Sequence, residues 1–203
     1  MTATASASRT LRSLAGLPAA PAPLSHSVLI LVDAQNTYRT GVMALEGIEP
    51  ALDAAADLLR RVRALGTPVI HVQHDGGSGS PYDVGAETGA IADKVAPRAG
   101  EAVVRKKRPN SFVGTDLQER LAAIGRRDLV VAGFMTHMCI NSTARGAFNL
   151  DYAVTVPASA TATRALPGPE GRVVSAAALQ AAALAALADL FAVVVEGPAA
   201  IPD

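Results

Sequence analysis

The amino-acid sequence predicts an α/β fold, in which a doubly wound, mainly parallel sheet of six strands carries helices on both faces. Short apolar runs alternate with helix-like patterns from residue 27 to residue 195. The runs are apolar throughout, as expected for inner strands that are covered on both sides. Neither a repeat nor a linker interrupts the alternation, so we expect right-handed crossovers within a single sheet.

Length and charge limit the classes of protein to consider. The chain has 203 residues, 50% of them hydrophobic, which fits one domain with a substantial core. Its 18 Lys and Arg residues equal its 18 Asp and Glu residues. Because nucleic acids and anionic membranes attract basic surfaces, neither is predicted as a partner, and a small-molecule substrate is expected.

Cysteine content and hydropathy bear on location. The single cysteine, Cys139, excludes an intramolecular disulfide and fits a reducing compartment. No apolar run reaches the roughly 18–20 residues of a membrane span, so we predict a cytoplasmic protein. Residues 1–25 lack acidic residues and are rich in Ala, Ser and Thr. They are predicted to form an arm that is flexible or clasps a partner subunit, ahead of a single domain at 26–203.

The first half of the chain contains two predicted strands and one clear helix. The first strand is SVLILV at residues 27–32, and the second is PVIHVQ at 68–73. Between them, Pro50 favours a helix start and Gly66 a stop, which predicts an amphipathic crossover helix at 50–65. The Gly- and Ser-rich residues 76–89 form a loop over the site, without the lysine and spacing of a phosphate-binding loop.

The second half continues the alternation. The spacing of Thr115 and Gln118 predicts a capping box for a helix that ends at Gly125. The other predicted elements are a short helix around 87–95, strands at 101–105, 128–132, 153–157 and 192–195, helices from Cys139 and at 173–191, and a loop at 159–169.

Residues that could take part in catalysis follow three of the predicted strands. Cys139 follows the fourth strand where a helix begins, a position that lowers a thiol pKa, although a lone cysteine is often only a buried apolar group. Asp33 follows the first strand, where open α/β sheets place their ligands, or it caps a loop. Lys106 and Lys107 follow the third strand, and one of them could point inward from an otherwise surface cluster. Carboxyl ends of parallel strands share one edge, which brings a nucleophile, a base and a cation together.

The histidines do not form a metal motif. His71 and His74 are three positions apart on one strand, so their side chains point to opposite faces. A shared metal ion is therefore not predicted, and His74 is assigned to the edge of the pocket.

Three ordered motifs resemble the isochorismatase-like cysteine hydrolases, which include nicotinamidase and N-carbamoylsarcosine amidohydrolase. The motifs are LILVDAQNTY, VVRKKRPNSFVGTDL and VVAGFMTHMCINSTARGA, and the resemblance extends from about Val28 to Val195. It implies that Cys139 is the nucleophile, Asp33 the base and Lys106 the supporting cation. Lys106 is preferred over Lys107 because the family lysine stands six positions before a Phe, here Phe112.

The same resemblance implies a cis peptide bond between Phe134 and Met135. That bond would place the Met135 N–H beside the N–H of Cys139 as an oxyanion hole. The implied reaction is acyl transfer in two steps, through a thioester, on a small amide, carbamoyl or lactam substrate. No cofactor is expected.

The sequence departs from one branch of this family, and two alternative functions stay open. Nicotinamidases often carry an Asp-and-His metal site, and no equivalent histidine pair is present, so nicotinamide is disfavoured. One alternative is a vinyl-ether hydrolase of the isochorismatase type, in which Cys139 is a bystander. The other is a non-catalytic binding or assembly protein with the same fold.

The oligomeric state and the residues of the substrate pocket are predicted in less detail than the catalytic residues. The family resemblance and the N-terminal arm suggest a homodimer or homotetramer. Candidates for the substrate pocket, each of which could instead be a core or rim residue, are Gln35, Tyr38, Gln73, His74, Tyr82, Phe112, Phe134 and His137.

Overall fold

A computed structural model describes residues 8–203 and contains the predicted α/β sheet. Its helices are α1 (Leu11–Leu14), α2 (Ile48–Ala64), α3 (Leu117–Ile124), α4 (Asn141–Asn149) and α5 (Ala176–Ala188). Its strands are β1 (Ser27–Val32), β2 (Val69–His74), β3 (Ala102–Lys106), β4 (Asp128–Phe134), β5 (Ala153–Pro157), β6 (Thr161–Ala162), β7 (Leu166–Pro167), β8 (Val173–Val174) and β9 (Val193–Val195).

The six predicted strands lie in the order β3-β2-β1-β4-β5-β9, and all neighbours are parallel. Every residue of β1 is buried, as its uninterrupted apolar run predicts. Leu29 and Leu31 face α2, whereas Val28 and Ile30 pack on the opposite face with residues of α3 and α4. The doubly wound prediction is therefore confirmed.

The segment predicted as a loop at 159–169 contains additional strand structure. β5 pairs only with Asp128–Val130 of β4, so the carboxyl end of β4 is left without that neighbour. β6 fills the place by pairing with Gly133 and Phe134, and β7 and β8 form a small antiparallel hairpin. The prediction missed β6 because two residues carry no periodic pattern.

Helix boundaries also differ from the prediction. The capping box does not form, because Thr115 Oγ1 accepts from the Leu117 N–H, and α3 begins at Leu117. The helix predicted around 87–95 consists of two separate 3₁₀ turns, Glu87–Gly89 and Asp93–Val95. α5 begins at Ala176 because Ser175 caps it by accepting from the Ala178 N–H.

The described part of the predicted arm packs on its own chain. Arg12 in α1 donates to the carbonyls of Pro18 and Leu190, and the Leu24 N–H donates to Pro202. Residues 10–25 are thus tied to the body of the domain by buried backbone contacts, whereas residues 1–7 of the predicted arm lie outside the described residues. Within residues 8–203, no helix has both the length and the apolar character needed to cross a membrane.

Gly133 brings the central strands unusually close together at the edge that carries the site. Its φ is +117°, and a Cβ placed on it would lie 2.0 Å from the Val32 carbonyl oxygen. Glycine is required because only a residue without a side chain accepts both this backbone angle and this approach. The contact sets the relative positions of Asp33, after β1, and of the turn that follows β4.

Candidate active site

Asp33 begins the site at the carboxyl end of β1. Its backbone adopts a left-handed conformation with a φ of 50°, and its N–H donates to the Val72 carbonyl of the neighbouring strand. The side chain has no exposed surface. Asp is one of the few residues that tolerate this conformation, which turns the carboxylate away from a regular strand direction.

Lys106 is the last residue of β3, and its ammonium group is the centre of the cluster. Nζ lies 2.6 Å from Asp33 Oδ2, 3.3 Å from Cys139 Sγ and 3.2 Å from His74 Nδ1. The side chain is fully buried, whereas Lys107 is exposed. Of the two adjacent lysines, Lys106 is therefore the one that points into the cluster.

Cys139 lies two residues before α4, in the π-helical segment Thr136–Ile140. The preceding Phe134–Met135 peptide bond is cis, as the resemblance implies. Cys139 is 5% exposed and packs against the core on the α4 side of the sheet. A carboxylate oxygen of Asp33, a ring nitrogen of His74 and Sγ of Cys139 all lie within 4.8 Å of one another.

The electrostatics correct one expectation from the sequence. Burial, reinforced by the Asp33 charge, raises the pKa of the Cys139 thiol to about 12, and Lys106 only partly opposes this. Position near a helix start was predicted to lower that pKa, but desolvation has the larger effect here. The thiol is therefore protonated at rest and needs a base at the moment of attack.

Asp33 is placed to act as that base. Burial raises its pKa above the ordinary aspartate value, and the adjacent Lys106 charge pulls it back down. Lys106 engages Oδ2, and hydrogen bonds from the Cys139 side chain and the His74 backbone also oppose the raised pKa of Asp33. A buried carboxylate that contacts a protonated thiol is suited to proton transfer.

His74 belongs to this cluster as well as to the pocket edge. It is the β2 partner of Lys106 in the sheet register, so the two side chains lie side by side. Burial and the Lys106 charge lower the pKa of His74 to about 4, so the imidazole is neutral near pH 7. Since Nδ1 faces the ammonium, it accepts the hydrogen bond, and Nε2 carries the proton.

The cation in this cluster is the Lys106 ammonium. Asp33, His74 and Cys139 offer the kinds of atoms that bind metal ions. Lys106 Nζ contacts all three of them, so a metal ion would compete with the lysine for the same ligands. His71, the other histidine of β2, instead contacts Glu101 at 2.9 Å.

Aromatic residues form one wall beside the cluster. The rings of His74 and Tyr82 are 4.7 Å apart, and the Tyr82 hydroxyl donates to that of Tyr38 at 3.2 Å. Tyr38 in turn meets Phe134 edge to face at 5.8 Å. Tyr82 is partly exposed, whereas Tyr38 and Phe134 are buried beneath it. Of these predicted pocket residues, His74 and Tyr82 are therefore the ones within reach of a ligand.

Two predicted pocket residues have a different role. Gln35 and Gln73 each donate from Nε2 to the Gly89 carbonyl at 2.8 Å, and Gln35 also bonds both backbone groups of His74. Their amide groups are committed to backbone, so we correct their assignment from substrate contact to anchoring the residue 87–89 turn against β2.

Phe112 and His137 also make specific contacts within the chain. Phe112 stacks on Tyr152 and packs, partly buried, against the core on the α4 side of the sheet, and its assignment to the pocket stays a prediction. His137 Nδ1 lies 2.6 Å from Thr163 Oγ1 and remains partly exposed near the Cys139 turn.

Arg164 is a further residue near the site that was not predicted from the sequence. Its Nε is buried and has no hydrogen-bond partner within residues 8–203, while Nη1 donates to the Val42 carbonyl at 3.1 Å. The Arg164 charge helps lower the pKa of His137 and opposes the raised pKa of Tyr82, so its guanidinium lies near both. The available signal was a lone cation in a segment rich in Ala and Thr, two residues after β6.

A parallel α/β sheet that buries an aspartate, a lysine and a cysteine together at its carboxyl edge defines a cysteine hydrolase. The isochorismatase domain model matches residues 27–198. The chain belongs to the isochorismatase family and is a cysteine hydrolase of that family.

Relatives agree with this assignment. The secreted isochorismatase effector Isc1 of Verticillium dahliae is 37% identical, over 91% of this chain and 95% of its own length. The ureidoacrylate amidohydrolase RutB of Stutzerimonas stutzeri is 33% identical, over 71% of this chain and 75% of its own. The crystal structure of an isochorismatase from Pseudomonas putida superposes with a TM-score of 0.92 at 38% identity, covering 96% of this chain and 99% of that one.

Proposed function

We propose that this enzyme hydrolyses a C–N bond of a small amide, carbamoyl or lactam substrate through a thioester on Cys139. The observation that carries the proposal is the placement of one buried ammonium 2.6 Å from Asp33 and 3.3 Å from Cys139. A related enzyme, named as a ureidoacrylate amidohydrolase, supports the choice of a C–N bond.

In the first step the thiol adds to the substrate carbonyl and forms a tetrahedral adduct on Cys139. As Sγ attacks the carbonyl carbon, the thiol proton passes to Asp33. A base is required because the pKa of the Cys139 thiol is raised to about 12. Lys106 compensates the negative charge that moves between sulfur and carboxylate. The backbone N–H groups of Met135 and Cys139 hold the oxyanion, a contribution that is typically worth about 100- to 1000-fold in rate per donor.

In the second step the adduct collapses to the thioester, and hydrolysis of the thioester then releases the acid. Protonated Asp33 gives its proton to the leaving nitrogen, and the C–N bond breaks. Water then attacks the thioester with Asp33 as base, and Sγ recovers a proton as the acyl group departs. No step requires a cofactor.

Arg164 narrows the substrate class. Its Nε is buried and has no hydrogen-bond partner within residues 8–203, and its charge acts on Tyr82 and His137. A guanidinium pairs best with a carboxylate. The preferred substrate on this proposal carries a carboxylate at the end remote from the C–N bond.

A substrate screen tests the proposal. Primary amides, carbamoyl compounds and lactams, each with and without a carboxylate, are assayed for ammonia or amine release by wild type and Cys139→Ala. Hydrolysis that is lost in Cys139→Ala, with an acyl adduct on the wild-type protein by mass spectrometry, supports the thioester. Turnover that is retained in Cys139→Ala contradicts the thioester mechanism and favours the vinyl-ether chemistry. Because Cys139 is the sole cysteine, any thiol adduct is assigned without ambiguity.

Assembly and location complete the proposal. The enzyme acts as a homodimer or homotetramer, which is consistent with exposed apolar side chains such as Val42 and Val173. It acts in the cytoplasm, which a single free cysteine suits. Sedimentation of the purified protein and fractionation of producing cells test these two points, and a relative named as a secreted effector makes export the outcome to look for.

A further inference from the structure

We propose that His74 is a positioning residue whose Nδ1 holds Lys106 between Asp33 and Cys139. This inference rests on the proposed function and reassigns a residue that the sequence placed on the wall of the pocket. The observation behind it is that the ammonium has three close partners on three different strands or turns: Asp33 Oδ2, Cys139 Sγ and His74 Nδ1.

The number of donors explains why a third partner matters. A lysine ammonium has three N–H groups, and Lys106 is buried, with a side chain that has no exposed surface. Asp33, Cys139 and His74 use one donor each. Without His74, one N–H of a buried cation would lose its partner in the protein, and an unpaired donor on a buried charge is costly.

A competing acceptor determines where Lys106 would turn. Asp33 Oδ1 belongs to the carboxylate that Lys106 already contacts through Oδ2, at 2.6 Å. A lysine released from His74 would satisfy its free donor by binding both carboxylate oxygens. That movement withdraws the cation from Cys139 and occupies the oxygen that must receive the thiol proton.

The His74 imidazole is suited to holding Lys106 because it accepts a hydrogen bond from the ammonium while carrying no charge of its own. A carboxylate at the same position would compete with Asp33 for the lysine, and a protonated histidine would repel it. Burial and the Lys106 charge keep the pKa of His74 near 4, so the acceptor is available throughout the neutral range. Gln35 holds this part of β2 in place through both backbone groups of His74.

A matched pair of substitutions isolates the acceptor. His74→Asn places a neutral oxygen acceptor close to the position of Nδ1, whereas His74→Leu keeps apolar volume and removes the acceptor. His71→Leu is the control for lost stability, because His71 lies on the same strand and contacts Glu101 rather than the site. Thermal unfolding is recorded for each variant.

Iodoacetamide alkylation of Cys139 is the principal readout, and it needs no substrate. We expect His74→Leu to lower the alkylation rate at pH 8 by about tenfold, the effect of one lost hydrogen bond to a charged group. His74→Asn should recover to within about threefold of wild type, and His71→Leu should react as wild type does. On a substrate found in the screen, kcat should follow the same order, while KM changes little.

Two outcomes overturn the inference. Equal losses in His74→Asn and His74→Leu would show that the ring itself, or a contact from Nε2 to the substrate, is what matters. Wild-type alkylation in His74→Leu would show that Lys106 needs no third partner. If no amide is hydrolysed by wild type, the proposed function fails, but the alkylation series still decides the role of His74.

Discussion

Lys106 Nζ lies 2.6 Å from Asp33 Oδ2, although the two residues end strands β3 and β1, which are separated in the sheet by β2. The ion pair therefore reaches across the end of β2, where His74 stands beside it. Both charges are fully buried, so each depends on the other for compensation. The reactivity of the site and the stability of this edge of the sheet are consequently linked.

Replacing Asp33 by Asn tests that link. Asn tolerates the left-handed φ of 50° and keeps the shape of the side chain, but it cannot take a proton and leaves Lys106 without its counter-charge. We expect hydrolysis to fall by about 10²- to 10⁴-fold. The free energy of unfolding should fall by about 3–5 kcal/mol, measured by urea denaturation. Asp75→Asn, at a carboxylate whose contact is the Gly77 N–H, is the control and should retain activity.

The pH dependence of kcat/KM should reveal a raised Asp33 pKa. Only ionised Asp33 can accept the thiol proton, so activity falls as the pH drops through that pKa. Burial raises the value, which puts the midpoint of the acid limb above the roughly 3.9 of an ordinary aspartate. His74→Asn removes the other group in contact with Lys106 whose pKa lies in the acid range, near 4, and in that variant the midpoint should persist. A midpoint at or below about 3.9 would contradict the assignment.

Alkylation of Cys139 should keep accelerating at alkaline pH. The thiolate is the reactive form, and the pKa of this thiol is raised to about 12. The rate with iodoacetamide should rise close to tenfold per pH unit from about pH 8 to pH 10, whereas an ordinary cysteine levels off above about 8.5. A plateau near pH 8.5 would mean that Lys106 outweighs burial and Asp33. Glutathione, measured in parallel, supplies the reference curve.

Gly133→Ala should disrupt the active-site edge of the sheet. The added Cβ would lie 2.0 Å from the Val32 carbonyl oxygen, so β1 and β4 must separate next to Asp33. We expect a loss of at least about 3 kcal/mol in the free energy of unfolding, as for other strained core substitutions. Gly100→Ala is the matched control, because its φ is +90° and nothing lies within 4 Å of the new Cβ. Comparable losses in both variants would remove the clash as the explanation.

Arg164→Gln should separate substrates by charge. The substitution removes the guanidinium near Tyr82 and His137, so KM should rise about 10- to 100-fold for substrates with a carboxylate. Neutral primary amides should be bound as before, and kcat should change little for either class. Arg172→Gln, at an exposed arginine, controls for a general loss of positive charge. An equal rise in KM for neutral and acidic substrates would rule out a carboxylate subsite.

Particular residues show how far sequence reasoning reaches. The apolar run of β1 and its burial on both faces followed from composition alone, and the positions of Asp33, Lys106 and Cys139 at strand ends put them on one edge. β6 and Arg164 could not be predicted in the same way. β6 exists because β5 leaves the end of β4 without a neighbour on that side. Arg164 gains its proposed role only from its place near Tyr82 and His137 in the folded chain.

The sequence by itself determined the parallel sheet and the chemistry available at its carboxyl edge, because strand patterns and strand ends are local features of the chain. The tertiary structure decided the protonation state of the reactive groups and which of them are in contact. Burial and the approach of Asp33 make Cys139 a protonated thiol rather than a preformed thiolate. The register of β2 and β3 puts His74 beside Lys106. Desolvation and distance between charges depend on segments far apart in the chain, and no local pattern encodes them.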